Sequence, residues 1–184
     1  QWLITVFNIV NGNLDIAGST MFSKPAFDVL ARGKKKSASK KKGFADNFTR
    51  LRKLPDFNGE FPVAALAEEM TTSGDGQIRA LVTGAGNPVL STPNGKQLDT
   101  AMAGLDFMVS IDIYLNETTR HADIILPPLV TLERSQYDVA FQTLAIRNGA
   151  KYSLPVFKAD KTQRSDAQIF LELGWRMQPA GWLG

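Results

Sequence analysis

Apolar and polar positions along this chain change texture from one region to the next, and the most regular region lies in the middle. There, IRALVT (78–83), FMVSID (107–112) and DIIL (123–126) are apolar nearly throughout. The stretches between them are polar and suit a helix near 95–104 and a short helical segment near 116–121. Strands without polar alternation are covered on both faces, and helices between consecutive strands make those strands parallel. The pattern therefore predicts an α/β fold, a three-layer α/β/α arrangement around a mainly parallel, dinucleotide-binding-like sheet with right-handed crossovers.

The flanks are less regular. Trp2, Val6, Ile9 and Val10 recur at helical spacing, with Gly12 and Asn13 as a stop, which predicts a buried helix over 1–11. Residues 13–32 read as an ordered loop with a short helix near FDVLAR (27–32), and 44–62 as one helical turn before Pro55. Pro62 opens a helix over VAALAEEM (63–70), and TSGDGQ (72–77) is a turn. YDVAFQTLAIRN (137–148) predicts short or irregular strands. SDAQIFLELGWRM (165–177) predicts a helix capped by Ser165. Nothing in 184 residues requires more than one α/β domain over 1–184.

Composition narrows the function. No apolar run approaches the length of a membrane span, about 18 residues or more. With Gln1 in first place and no basic-then-apolar leader, the chain reads as a piece of something longer without a targeting segment. Zero cysteines exclude disulfides, thiolate metal sites and iron–sulfur ligation within this sequence, and a single histidine, His121, argues against a histidine-rich metal site. The net charge of +3 suggests nucleic acid at first sight. Six lysines, however, lie in GKKKSASKKKG (33–43), without an aromatic, where like charges repel in a flexible solvated loop. Without them, 15 of the 21 basic residues remain against 18 acidic ones, so the body of the protein is not a nucleic-acid binder.

The candidate chemistry sits where the apolar runs end. GAGNP (84–88) follows the first run, and ligands of open parallel sheets lie beyond the carboxyl ends of the strands. Its glycines let a ligand approach the backbone, Asn87 offers an amide, and Pro88 fixes the path out. The turn is neither a Walker A loop nor GxGxxG, and taken alone such a turn is more often just a turn. Asp112 ends the next run, either as an acceptor for a purine edge or ribose or as a helix N-cap. NETT (116–119) follows: Asn116 suits a nucleobase, and Thr118 a backbone group or phosphate. Glu117 with Arg120 reads as a structural pair, and His121 as a packed, hydrogen-bonded histidine. No Ser-His-Asp arrangement is built on it, and no catalytic or metal-ligating residue is assigned.

Taken in order, GNP, LDFMVSIDIYLNETTRHADIILP and an acidic residue at Glu133 resemble the molybdopterin oxidoreductase family of the dimethyl-sulfoxide-reductase type, as in formate dehydrogenases and nitrate reductases. FNIVNGNLDIAGSTMF (7–22) is similar to the stretch that precedes this region in those enzymes. The likeness covers residues 1–22 and about 54–157. It implies one of the two α/β domains that clasp the two molybdopterin guanine dinucleotides of a molybdenum or tungsten oxidoreductase. By motif position, Gly86, Asn87 and Pro88 would approach phosphate or ribose, Asp112 and Asn116 would read the guanine edge, and Glu117 and Thr118 would shape the loop beneath.

The iron–sulfur segment, the metal ligand, the second pterin-binding domain and the covering barrel of that family have no counterpart in this sequence. The resemblance thus implies a fragment that is inactive alone, partnered by the remaining domains of its parent and by an electron-transfer subunit. Two alternatives stand beside it: a structural or subunit-contact domain of the same fold that holds no cofactor, and a stand-alone enzyme with an NAD-like ligand, for which the glycine pattern is wrong.

Overall fold

A computed structural model describes residues 2–21, 26, 44–57, 59–138, 141–147 and 149–177. The lysine-rich stretch 33–43 and the helix expected near 27–32 lie outside the described residues. In chain order the elements are α1 (Trp2–Val10), strands β1 (Phe44–Phe48) and β2 (Pro55–Phe57), α2 (Leu66–Thr71) behind a 3-10 turn at Val63–Ala65, β3 (Ala80–Gly84), α3 (Pro88–Ser91) and α4 (Gly95–Met102). Then come β4 (Phe107–Ile111), a 3-10 turn at Thr119–His121, β5 (Ile124–Ile125), β6 (Gln136–Tyr137), β7 (Tyr152–Ser153) and α5 (Asp166–Arg176). The fold is mixed α/β. By internal contacts the chain divides into two compact units, residues 1–38 with 135–155 and residues 39–134 with 156–184.

The larger unit is built on a parallel sheet of order β3-β4-β5. β4 is central. Met108 and Ser110 on one of its faces and Val109 and Ile111 on the other are all buried, which explains why the strand reads as apolar without alternation. Met108 packs with Leu98, Ala101 and Met102 of α4 and Ala67 and Met70 of α2, the main apolar core. Asp123, at the start of β5, accepts a hydrogen bond from Met108 N–H at 2.7 Å and donates its own N–H to Met108 C=O at 2.9 Å. The Asp of ADIILP is therefore structural: it sets β5 beside β4.

The one helical turn expected before Pro55 is replaced by an antiparallel hairpin, β1 with β2. The buried Asp56 accepts from Asn47 N–H at 2.9 Å and from Asn47 Nδ2 at 3.0 Å, a cross-strand clamp that helical spacing cannot provide. Those two bonds, the backbone one foremost, hold its carboxyl below its ordinary range. Pro55 begins β2, where a missing N–H is tolerated. The buried Glu69 of α2 then ties the hairpin to the sheet unit, accepting from Leu51 N–H at 2.9 Å and pairing with Arg50 at 3.2 Å.

In the smaller unit, α1 forms where its spacing predicts and stops at Gly12, whose φ is +67°. It is not the buried helix expected. None of its residues is buried, and Trp2 (74% exposed) and Phe7 (69%) stand out. Its apolar residues occupy every side of the helix, so packing one side leaves the others uncovered. β6 pairs antiparallel with β7, and a 3-10 turn at Phe141–Leu144 occupies part of the segment read as irregular strand.

Candidate functional site

β3 delivers the chain into the glycine-rich turn. Ala85, at φ +48°, donates its N–H to Ile111 C=O at 2.9 Å, so the turn begins by closing onto the end of β4. Pro88 occupies the first turn of α3, whose end is secured by Asn87 C=O accepting from Leu90 N–H and Ser91 N–H, each at 3.0 Å. The Asn87 amide is spent inside the protein. Its Nδ2 donates to Glu117 Oε2 at 2.7 Å, and its Oδ1 accepts from the Thr118 hydroxyl at 2.8 Å.

Thr118 is completely buried, and its Oγ1 also accepts from Val89 N–H at 3.1 Å. Asn116 Oδ1 accepts from Thr118 N–H and Thr119 N–H, both at 3.0 Å, while Thr119 Oγ1 accepts from Asn116 N–H at 2.8 Å and donates to Tyr114 C=O at 2.9 Å. The NETT segment is thus a self-closing knot that grips the GNP turn from below. The hydrogen bond from Asn87, followed by one from the residue's own backbone, holds the Glu117 carboxyl below its ordinary range.

Arg120 does not pair with Glu117. Its Nη2 donates to both carboxylate oxygens of Asp99 of α4, at 2.7 and 2.8 Å, and His121 Nε2 lies 2.6 Å from the same carboxylate. Hydrogen bonds from Arg120, then from His121, keep the Asp99 carboxyl below its ordinary range. The helical position of Asp99 puts it within reach of the 3-10 turn, and sequence separation hides that.

Asp112 stands apart from this knot. It is 8% exposed and lies one residue past β4; no helix follows it, so its Oδ1 accepts from Tyr114 N–H at 2.9 Å rather than capping one. Its Oδ2 meets no protein donor among the described residues. Asp112 lines a cleft of about 220 Å³ together with Gly84, Ala85, Ile111, Arg134, Asp166 and Phe170, at the carboxyl ends of β3 and β4.

Arg134 and Asp166 form an ion pair in that lining, and Arg134 Nε is buried without a partner. Burial pushes the Asp166 carboxyl up, but the Arg134 hydrogen bond and Ala167 N–H outweigh it and leave the group below its ordinary range. Sequence reasoning missed all three cleft residues contributed from beyond Glu133. Only the Ser165 capping box, here with Gln168, gave a signal nearby. A second cleft of about 350 Å³ between the hairpin and α2 is larger, but it is lined mostly by apolar groups such as Phe48, Phe61 and Ile78, and its Arg50 and Glu69 are engaged with each other. Chemistry converges on the smaller one.

Of the residues singled out in sequence, Asn87, Asn116, Glu117 and Thr118 are brought into one hydrogen-bonded group, and Gly86 and Pro88 belong to the turn it holds. Asp112 is the one that faces the cleft. Among the described residues no group of three or more His, Asp or Glu could hold a metal ion, and no helix is long and apolar enough to cross a membrane.

A family profile described as molybdopterin oxidoreductase matches residues 3–176. The chain belongs to that family. Among its relatives, the assimilatory nitrate reductase catalytic subunit of Bacillus subtilis is 39% identical over 66 residues, 36% of this chain and 9% of that protein. The F420-dependent formate dehydrogenase subunit alpha of Methanocaldococcus jannaschii is 36% identical over 66 residues, 36% of this chain and 10% of that protein. A nitrate reductase of Symbiobacterium thermophilum is 38% identical over 69 residues, 36% of this chain and 9% of its own length. These relatives are much longer than the chain, which spans well under two thirds of any of them.

Proposed function

We propose that this chain is a molybdopterin guanine dinucleotide-binding segment of a larger molybdenum or tungsten oxidoreductase, and that Asp112 receives the guanine. The observation that carries the reading is one carboxylate: almost entirely buried, at the carboxyl end of a parallel strand, in a cleft of about 220 Å³, with one oxygen unpartnered by protein. That oxygen is not one of the buried unpartnered atoms, so it reaches the open side of the cleft, where a ligand donor can take the place of solvent. Guanine presents adjacent N–H groups on N1 and N2 that match a carboxylate, whereas adenine does not.

The other residues take supporting roles. Backbone of Gly86, Asn87 and Pro88 approaches phosphate or ribose; the Asn87 amide, spent on Glu117 and Thr118, acts by fixing the turn and not by touching the nucleotide. Asn116, with Oδ1 engaged, contributes its Nδ2 as a donor to the guanine acceptors. When bound, the cofactor supplies two-electron chemistry at its metal; this chain supplies none of the reacting groups and is inactive alone. The remaining domains of the parent complete both the site and a three-layer α/β/α sheet, and an electron-transfer subunit completes the enzyme.

Calorimetric titration of the chain with GDP tests the reading. Charged hydrogen bonds of this kind are worth roughly 1.5–3 kcal/mol, so Asp112→Ala should weaken GDP at least about tenfold and abolish preference over ADP. Unchanged GDP affinity in Asp112→Ala would leave the subunit-contact alternative as the better account.

A further inference from the structure

We infer that Phe170 of α5 is the stacking wall of the same cleft, a specificity-independent contact that the nucleobase makes beside Asp112; the inference rests on the guanine reading above. A Cβ built at Gly84 would come within 3.0 Å of Phe170 Cζ and 3.7 Å of Cε2, so the tip of the ring rests on the backbone at the end of β3, where any side chain would push it away. Yet Phe170 is half-exposed and borders the cleft. A phenyl group anchored at its tip in a half-exposed residue, lining the same cleft as a carboxylate, offers a flat apolar wall next to a hydrogen-bonding edge. Those are the two surfaces a purine presents, a π-face and a polar edge.

The wall is held in position. Ile169, its neighbour in α5, is buried, and the start of α5 is fixed by the Ser165–Gln168 capping box and by the Arg134–Asp166 pair. Pro128, Leu129 and Val130 add to the apolar lining, with Leu129 N–H bonded to Arg164 C=O at 3.0 Å just ahead of the helix. The division of labour is chemical. Asp112 distinguishes guanine from adenine by its N–H groups, whereas a phenyl face accepts either base, so the two residues contribute separable parts of the affinity.

The test is the chain titrated with GDP and with ADP, followed by calorimetry and by the guanine H8 proton resonance. Phe170→Ala should weaken GDP about tenfold while keeping the ratio of GDP to ADP affinity, and Phe170→Trp should restore binding. The ring-current shift of H8 on binding should vanish in Phe170→Leu, which keeps apolar bulk against Gly84 and so removes stacking without emptying the packing site. Asp112→Ala should do the reverse, losing the GDP preference and keeping the shift. If Phe170→Ala and Phe170→Leu bind GDP like the parent while Asp112→Ala does not, the stacking wall is wrong and the guanine reading stands. Absence of any GDP binding in the unsubstituted chain would overturn both.

Discussion

Replacing Thr118 by valine removes one hydroxyl and almost no volume, which makes it the cleanest probe of the knot beneath the turn. Thr118 is completely buried, and its Oγ1 links two elements: it donates to Asn87 Oδ1 at 2.8 Å and accepts from Val89 N–H at 3.1 Å. Thr118→Val strands both partners. A buried donor or acceptor left unmade costs about 1–3 kcal/mol, and because Asn87 and Val89 are only half-buried the lower part of the range applies to each, giving about 2–3 kcal/mol in total. Urea unfolding followed by circular dichroism reads this directly. With a slope on the order of 2 kcal/mol/M, the midpoint should fall by about 1 M without a change in slope. Thr118→Ser keeps the hydroxyl and loses a methyl, so it should cost about 1 kcal/mol or less. A Thr118→Val midpoint within about 0.2 M of the parent, or a serine variant as unstable as the valine one, would refute the claim that this hydroxyl holds the GNP turn.

Two further expectations concern the same scaffold. A Cβ at Gly95 would lie 1.9 Å from Val89 C=O, a backbone atom, so Gly95→Ala must displace the α3–α4 junction and should cost about 3 kcal/mol in the same unfolding assay; near-neutral behaviour would mean that the junction is not close-packed. Asp99 titrates below its ordinary 3.8 because of Arg120 and His121, so its contribution to stability is complete above that value and drains away as pH falls through the lower, folded-state value. Asp99→Asn should therefore make the acid limb of the stability–pH curve shallower below about pH 4, and limbs that run parallel for parent and variant would contradict the assignment.

How far the sequence foretold this molecule depended on the range of the interactions. β3, β4, α4 and α5 were legible because their apolar spacing is local, and Ser165 was legible as the N-cap of α5. The β1–β2 hairpin was not, since Asp56 and Asn47 meet only after the loop has closed and FADNF is too short to show alternation. In α1 the periodicity gave the helix but not its exposure, which depends on what surrounds it. At the site, Asp112 and the NETT residues stood out because they follow an apolar strand. The pairing of Arg120 with Asp99, and the arrival of Arg134, Asp166 and Phe170 at the cleft, are tertiary events between residues about 20 to 90 positions apart, for which local pattern carries no signal.

The central claim is that guanine enters the cleft at Asp112. Backbone amide resonances of the isotope-labelled chain, followed during titration with GDP and then with ADP, test it residue by residue. The account predicts that Asp112 and Tyr114 shift with GDP and much less with ADP, that Gly84, Ala85 and Phe170 respond to both nucleotides, and that the difference at Asp112 and Tyr114 is lost in Asp112→Ala. Shifts centred on the apolar cleft around Phe61 and Ile78, or equal responses to the two nucleotides at Asp112, would contradict it.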